Sequence, residues 1–128
     1  MGTQYLIDSN VVIDFLDNKI TFSGMNFVSK IIDCVPNISV ITQIEVLRYN
    51  APKNAHLLLS DFIDNSKIFP LSEEIVPLVI NICKFNKIKL PDAIIAATAV
   101  YYNLTLLTRN TDDFKNIENL TTINPYDI

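Results

Sequence analysis

The sequence predicts an α/β fold, a three-layer α/β/α sandwich around a central, mainly parallel twisted sheet. Three observations carry this expectation. Short apolar runs alternate with longer segments of helical period, the order of repeated β-α units. Strands that are apolar throughout suit a parallel sheet covered by helices on both faces. Apolar residues make up 49% and charged residues 19% of the 128 positions, enough for a core, and the length suits one compact domain over residues 1–128.

Tyr5-Leu6-Ile7 is the first strand and ends at Asp8. Ser9 or Asn10 then caps a helix running through Asp17. A second helix spans roughly Gly24 to Cys34 and stops near Pro36. Ile38 to Ile41 reads as the next strand, with Thr42 capping a helix that starts at Gln43 and carries Glu45. Asn54 to Asn65 is amphipathic, with Leu57, Leu58, Phe62 and Ile63 facing inward. Ile68-Phe69 is a short strand, after which Ser72-Glu73-Glu74 opens a helix in capping style towards Phe85. Pro91 stands in the first turn of another helix, followed by Asp92 and a small-residue face of Ala93, Ala96 and Ala97. Thr105 to Thr108 and Thr121 to Ile123 are the remaining strands.

Composition excludes several functions. The two glycines, Gly2 and Gly24, leave no glycine-rich phosphate loop. Cys34 and Cys83 match no metal or redox spacing and read as buried free thiols, in keeping with a reducing cytoplasm. The opening Met1-Gly2-Thr3-Gln4 has no basic leader, and the longest apolar run, Ala93 to Tyr102, is too short to span a bilayer, so no membrane association is expected. A net charge of −4 runs against nucleic-acid binding unless cations or a local basic patch offset it.

In parallel sheets ligands sit beyond the carboxyl ends of the strands, and acids collect there. Asp8 closes the first strand, and Glu45 is expected on the first turn of the helix after Ile41. Thr108, Asn110, Asp112 and Asp113 follow the Leu106-Leu107 run, and Asp92 opens its helix. Singly, each acid has an ordinary structural role as a cap, a first-turn acid or a turn residue. Together, at converging strand ends, they make a cluster whose mutual repulsion a hard divalent cation relieves. Oxygen ligands without histidine or cysteine favour Mg²⁺ or Mn²⁺ over zinc. His56, the lone histidine, sits mid-helix and away from these motifs.

Four segments, in order, resemble the PIN-domain ribonucleases, and in particular the VapC toxins of bacterial toxin–antitoxin pairs. They are Tyr5 to Asp14, Thr42 to Arg48, Leu90 to Ala99, and Leu107 to Phe114. Leu90-Pro91-Asp92-Ala93-Ile94-Ile95-Ala96-Ala97 is the most specific of them. The resemblance implies a Mg²⁺-dependent endoribonuclease with Asp8 and Asp92 holding the metal and Glu45 completing the acidic pocket. It assigns Asp113 as the fourth acid, a role for which Asn110 and Asp112 compete. Ser9 and Thr108 support the site through their hydroxyls. Ser9 stands where the family often has threonine, and Tyr49-Asn50 where a small residue often follows the glutamate motif.

The same resemblance implies an RNA substrate, an antitoxin partner inserting near the site, and a homodimer. Arg48, Lys89 and Arg109, with Lys84 and Lys87, form either a basic rim for RNA or a solvated helix end, and Arg109 has Asp112 as a local alternative. Faces near Phe27 and Ile31, and near Phe62 and Ile63, serve either partners or the core. Two other functions compete: an RNA-processing nuclease outside a toxin system, or another phosphoester enzyme using the same pocket. A non-enzymatic α/β binding module, its acids serving only as caps and turns, is the third.

Overall fold

The computed structural model describes residues 4–128; Met1-Gly2-Thr3, where the sequence lacks a basic leader, lie outside them. The chain begins with strand β1 (Tyr5–Ile7) and helices α1 (Ser9–Leu16) and α2 (Phe22–Ile32). Strand β2 (Asn37–Ser39) leads into α3 (Val40–Arg48) and α4 (Lys53–Asp64), then β3 (Lys67–Phe69). Helices α5 (Val76–Phe85) and α6 (Leu90–Tyr101) precede β4 (Thr105–Leu107). A short α7 (Thr111–Phe114), β5 (Thr122–Ile123) and a 3₁₀ turn (Pro125–Asp127) complete it.

The five strands form one parallel sheet in the order β3-β2-β1-β4-β5. Successive side chains of a strand point to opposite faces, and this alternation divides the core. Leu6 and Leu106 pack with α5 and α6 on one face. Ile7, Ile38 and Leu107 pack with Val11, Val12, Val28, Val46 and Leu59 of the first four helices on the other. The expected three-layer sandwich is what forms. Among the described residues no helix is long and apolar enough to cross a membrane.

Helix ends show how a chain poor in glycine turns corners. Asn18 and Asn103, just past α1 and α6, take φ of 55°, the left-handed position usually given to glycine. Asn tolerates it because its short amide bonds locally. Pro77 and Pro91 occupy first turns, where no amide donor is lost to the helix.

Several local expectations are corrected. Asp8, not Ser9 or Asn10, caps α1, its side chain accepting from the Ser9 amide. The second strand ends at Ser39, whose hydroxyl oxygen accepts from the Ile41 amide and starts α3 two or three residues earlier than Thr42. The β-branched pair Val40-Ile41 reads as strand by propensity, but the Ser39 cap turns it helical. Ser72 gives α5 only its carbonyl, which takes the amides of Ile75 and Val76; its own buried hydroxyl has no partner among the described residues.

Leu57 and Leu58 are exposed while Leu59, Phe62 and Ile63 are buried, so the inward stripe of α4 is rotated by about one residue. Phe62 and Ile63 are therefore core, and Phe27 and Ile31 pack against that core. Cys34 and Cys83 are free but exposed rather than buried. The inward face of α5 is set by Val79 and Ile82, which turns Cys83 outward.

Candidate active site

Strand order reverses direction at β1, since β2 and β3 lie to one side of it and β4 and β5 to the other. Such a switch point opens a crevice beyond the carboxyl ends of the two central strands. Asp8 leaves β1 here and Thr108 leaves β4, and the Asp8 amide donates to the Leu107 carbonyl at 2.9 Å.

Both oxygens of the buried Asp8 carboxylate are held. Oδ1 accepts from the Ser9 amide at 2.8 Å, and Oδ2 accepts from the Thr108 hydroxyl at 2.8 Å. Thr108 Oγ1 in turn accepts from the Asn110 amide at 3.1 Å, which ties the loop after β4 to Asp8. The Ser9 hydroxyl donates to Glu45 Oε1 at 2.6 Å, and Thr42 Oγ1 lies 3.3 Å from that same Ser9 oxygen. Thus α1, α3 and the β4–α7 loop are joined through two carboxylates and three hydroxyls.

Asp8, Ser9, Asn10, Glu45, Arg48, Asp92 and Asn110 line one cavity of about 310 Å³. A second hollow of about 610 Å³ adjoins it, sharing Asn10, Glu45, Asp92 and Asn110 and adding Lys87, Lys89 and Asp113. The first turn of α6 places Asp92 on this wall while Ala93, Ala96 and Ala97 are fully buried beneath it. Small side chains let α6 lie close to the sheet, which brings its amino end to the crevice.

Burial raises the pKa of Asp8, against the pull of the Thr108 and Ser9 hydrogen bonds. Asp92 is pushed from 3.8 to about 6, first by desolvation and then by the negative charges of Asp8, Glu45 and Asp113, with Lys89 opposing. Four carboxylates from four separate segments therefore feel one another.

The cluster fits a hard cation by the chemistry of its donors, all of them oxygen, and by the charges of Asp8, Glu45 and Asp113, which add to burial in raising the pKa of Asp92. Among the described residues no three acidic, histidine or cysteine side chains already stand as a closed metal cage. His56 lines neither hollow.

Of the residues singled out from the sequence, Asp8, Ser9, Glu45, Arg48, Lys89, Asp92, Thr108, Asn110 and Asp113 meet here. Asp112 is exposed and lines neither hollow, so Asp113 and Asn110 are the members of that motif facing the site. Arg109 lies outside both hollows and pairs with Asp14 at 3.2 Å, not with Asp112. Sequence reasoning passed over Asp14 and Tyr126, which meet behind the site where the Tyr126 hydroxyl donates to Asp14 Oδ2. The signal available for Tyr126 was Asn124-Pro125, a turn-forming pair directly after the last strand.

The PIN domain model matches residues 5–120. Among curated proteins none matches the sequence. The fold is similar to a chain of a toxin–antitoxin complex from Klebsiella pneumoniae, with TM-score 0.79 and 30% identity over 98% of this chain and 100% of that one. It is also similar in fold to a chain of VapBC2 from Rickettsia felis bound to a DNA fragment from their promoter, with TM-score 0.78 and 22% identity over 95% and 98% of the two chains. FitAcB from Neisseria gonorrhoeae gives TM-score 0.79 and 21% identity over 98% and 100%.

Proposed function

The chain belongs to the PIN-domain family, and we propose that it is a Mg²⁺-dependent endoribonuclease acting as the toxin of a toxin–antitoxin pair. One observation carries the reading: Asp8, Glu45, Asp92 and Asp113, from four distant segments, converge at the switch point of the sheet.

Asp8 and Asp92 would hold the metal, with Glu45 and Asp113 completing the negative wall. A bound Mg²⁺ supplies positive charge for a phosphate oxygen and lowers the pKa of a water, and Mn²⁺ serves in its place. The Thr108 and Ser9 hydrogen bonds fix the rotation of the Asp8 carboxylate, so little reorganisation is left for the reaction. The Ser9 hydroxyl occupies Oε1 of Glu45 and leaves Oε2 to orient the attacking water or take its proton. Lys87 and Lys89 set two positive charges beside the acids, where they attract an RNA backbone despite the net charge of −4. Arg48 adds a positive charge in the adjoining cavity.

The likeness at 30% identity to a chain of a toxin–antitoxin complex supports the toxin role and an antitoxin partner. An apolar hollow lined by Ile13, Leu16, Tyr49, Ala51 and Leu58 shares Ile13 and Tyr49 with the acidic cavity, so a protein segment seated there reaches the site. Exposed Val76, Ile80 and Phe85 on α5 support a homodimer.

RNA cleavage in Mg²⁺ by the wild-type chain and by Asp8→Asn tests the reading. Asparagine keeps a capping oxygen for α1, so folding is expected to survive while cleavage falls by about a thousandfold or more. Equal rates for the folded variant and the wild type overturn the assignment.

A further inference from the structure

A second set of side chains lies behind the acidic site and is not part of it. Asp14, on α1, is largely buried and receives two donors at Oδ2, the Tyr126 hydroxyl and Arg109 Nη1 at 3.2 Å. The guanidinium carbon of Arg109 stands 5.7 Å from the centre of the Tyr126 ring. The Tyr126 oxygen also lies 3.3 Å from the Asn10 carbonyl. Asn124 Nδ2 donates to the Arg109 carbonyl at 3.2 Å, and its Oδ1 accepts from the Tyr126 amide at 2.8 Å.

The terminal segment is itself anchored on α2. A Cβ at Gly24 would stand 2.0 Å from the Pro125 carbonyl oxygen, so only glycine lets the two backbones approach this closely. Pro125 is buried in that contact.

The two segments gripped by Tyr126 are the ones that carry the site. Asp8 caps α1, and Asn10 in its first turn lines the cavity. Arg109 stands between Thr108, which donates to Asp8, and Asn110, which lines both hollows. We propose that the terminal segment Asn124–Ile128 is a clamp that positions the active site, with Tyr126 and Asp14 as positioning residues that lock α1 against the β4–α7 loop. Its kinetic consequence rests on the nuclease reading; its mechanical consequence does not.

Two variants of the full chain, Tyr126→Phe and Gly24→Ala, test it by amide hydrogen exchange and by RNA cleavage kinetics. Tyr126→Phe removes one oxygen and keeps the ring, and Gly24→Ala unseats the segment from a distance. The amides of Val11, Val12, Asn110 and Asp113 are expected to exchange about tenfold faster while those of β1 and β4 keep their protection. In the same variants kcat falls about tenfold with KM unchanged, because misplaced groups cost rate rather than binding. A purely structural strap would instead loosen the strands along with the site. Unchanged exchange at those four amides in both variants overturns the clamp, as does faster exchange there with an unaltered kcat. If the wild-type chain cleaves no RNA, the nuclease reading falls and the exchange pattern alone decides the clamp.

Discussion

Asp14 and Asp92 make an instructive pair, one carboxylate behind the acidic crevice and one on its wall, with opposite surroundings. Asp14 accepts from a guanidinium and a phenol, so its charge is neutralised within the chain. The pKa of Asp92 is pushed up to about 6, first by burial and then by the charges of Asp8, Glu45 and Asp113. A fold that compensates one acid and leaves four others close together unpaired is what the proposed metal site requires. Asp14 is paired within the chain, whereas the acids of the cluster have no cationic partner at salt-bridge distance among the described residues.

The largest effect that separates the two regions is cation binding. A saturating divalent ion stabilises only the folded chain, by about 2.7 kcal/mol at about 100 times Kd. In thermal melts with Mn²⁺ the wild type and Asp14→Asn are expected to gain alike, and Asp92→Asn to gain little. Equal gains in all three proteins would dissolve the distinction.

Smaller is the cost of breaking the compensated set. Asp14→Ala leaves the Arg109 guanidinium and the half-buried Tyr126 hydroxyl without their acceptor, worth about 2 kcal/mol of stability. Urea denaturation measures it. A loss below about 0.5 kcal/mol would mean that the contacts with Asn10 and Asn124 hold the segment unaided.

What the sequence disclosed follows the same line. Asp8, Asp92 and Asp113 were legible because each sits at a strand end or in the first turn of a helix, and four ordered motifs resemble one family. Glu45, expected in a first turn, lies in the second turn of α3 because the helix starts at Val40. The sandwich was legible because Leu6-Ile7 and Leu106-Leu107 are apolar on both faces, as sheets buried on both sides require. The clamp was not, because its members lie far apart in the chain and bond pairwise, leaving no periodic trace. Arg109 illustrates this: Asp112 is its neighbour in sequence, whereas Asp14, 95 residues away, is its partner in space. The start of α3 was misplaced because β-branched Val40-Ile41 outweighs a single serine in propensity, though that serine decides the cap. Exposure of Cys83 depends on which face of α5 meets the sheet, something a uniformly apolar helix does not announce.

The finest test is one of sign. Removing a carboxylate from a repelling cluster should stabilise the metal-free fold, whereas removing Asp14 weakens it. Asp92 takes up a proton on folding between pH 3.8 and about 6, since its folded pKa lies above its ordinary value. Its contribution is fully favourable below about 3.8 and is lost as pH rises through about 6. At face value that displacement is worth about 3 kcal/mol, and the half-exposed position of Asp92 screens it to about 1 kcal/mol. Metal-free Asp92→Asn should therefore be more stable than the wild type by about 1 kcal/mol at pH 7.5. The two should converge near pH 4, where the wild-type group is protonated. Denaturation at both pH values in chelator decides it: a variant less stable than the wild type at pH 7.5 would show that Asp92 is compensated as Asp14 is, and the contrast between the two acids would vanish.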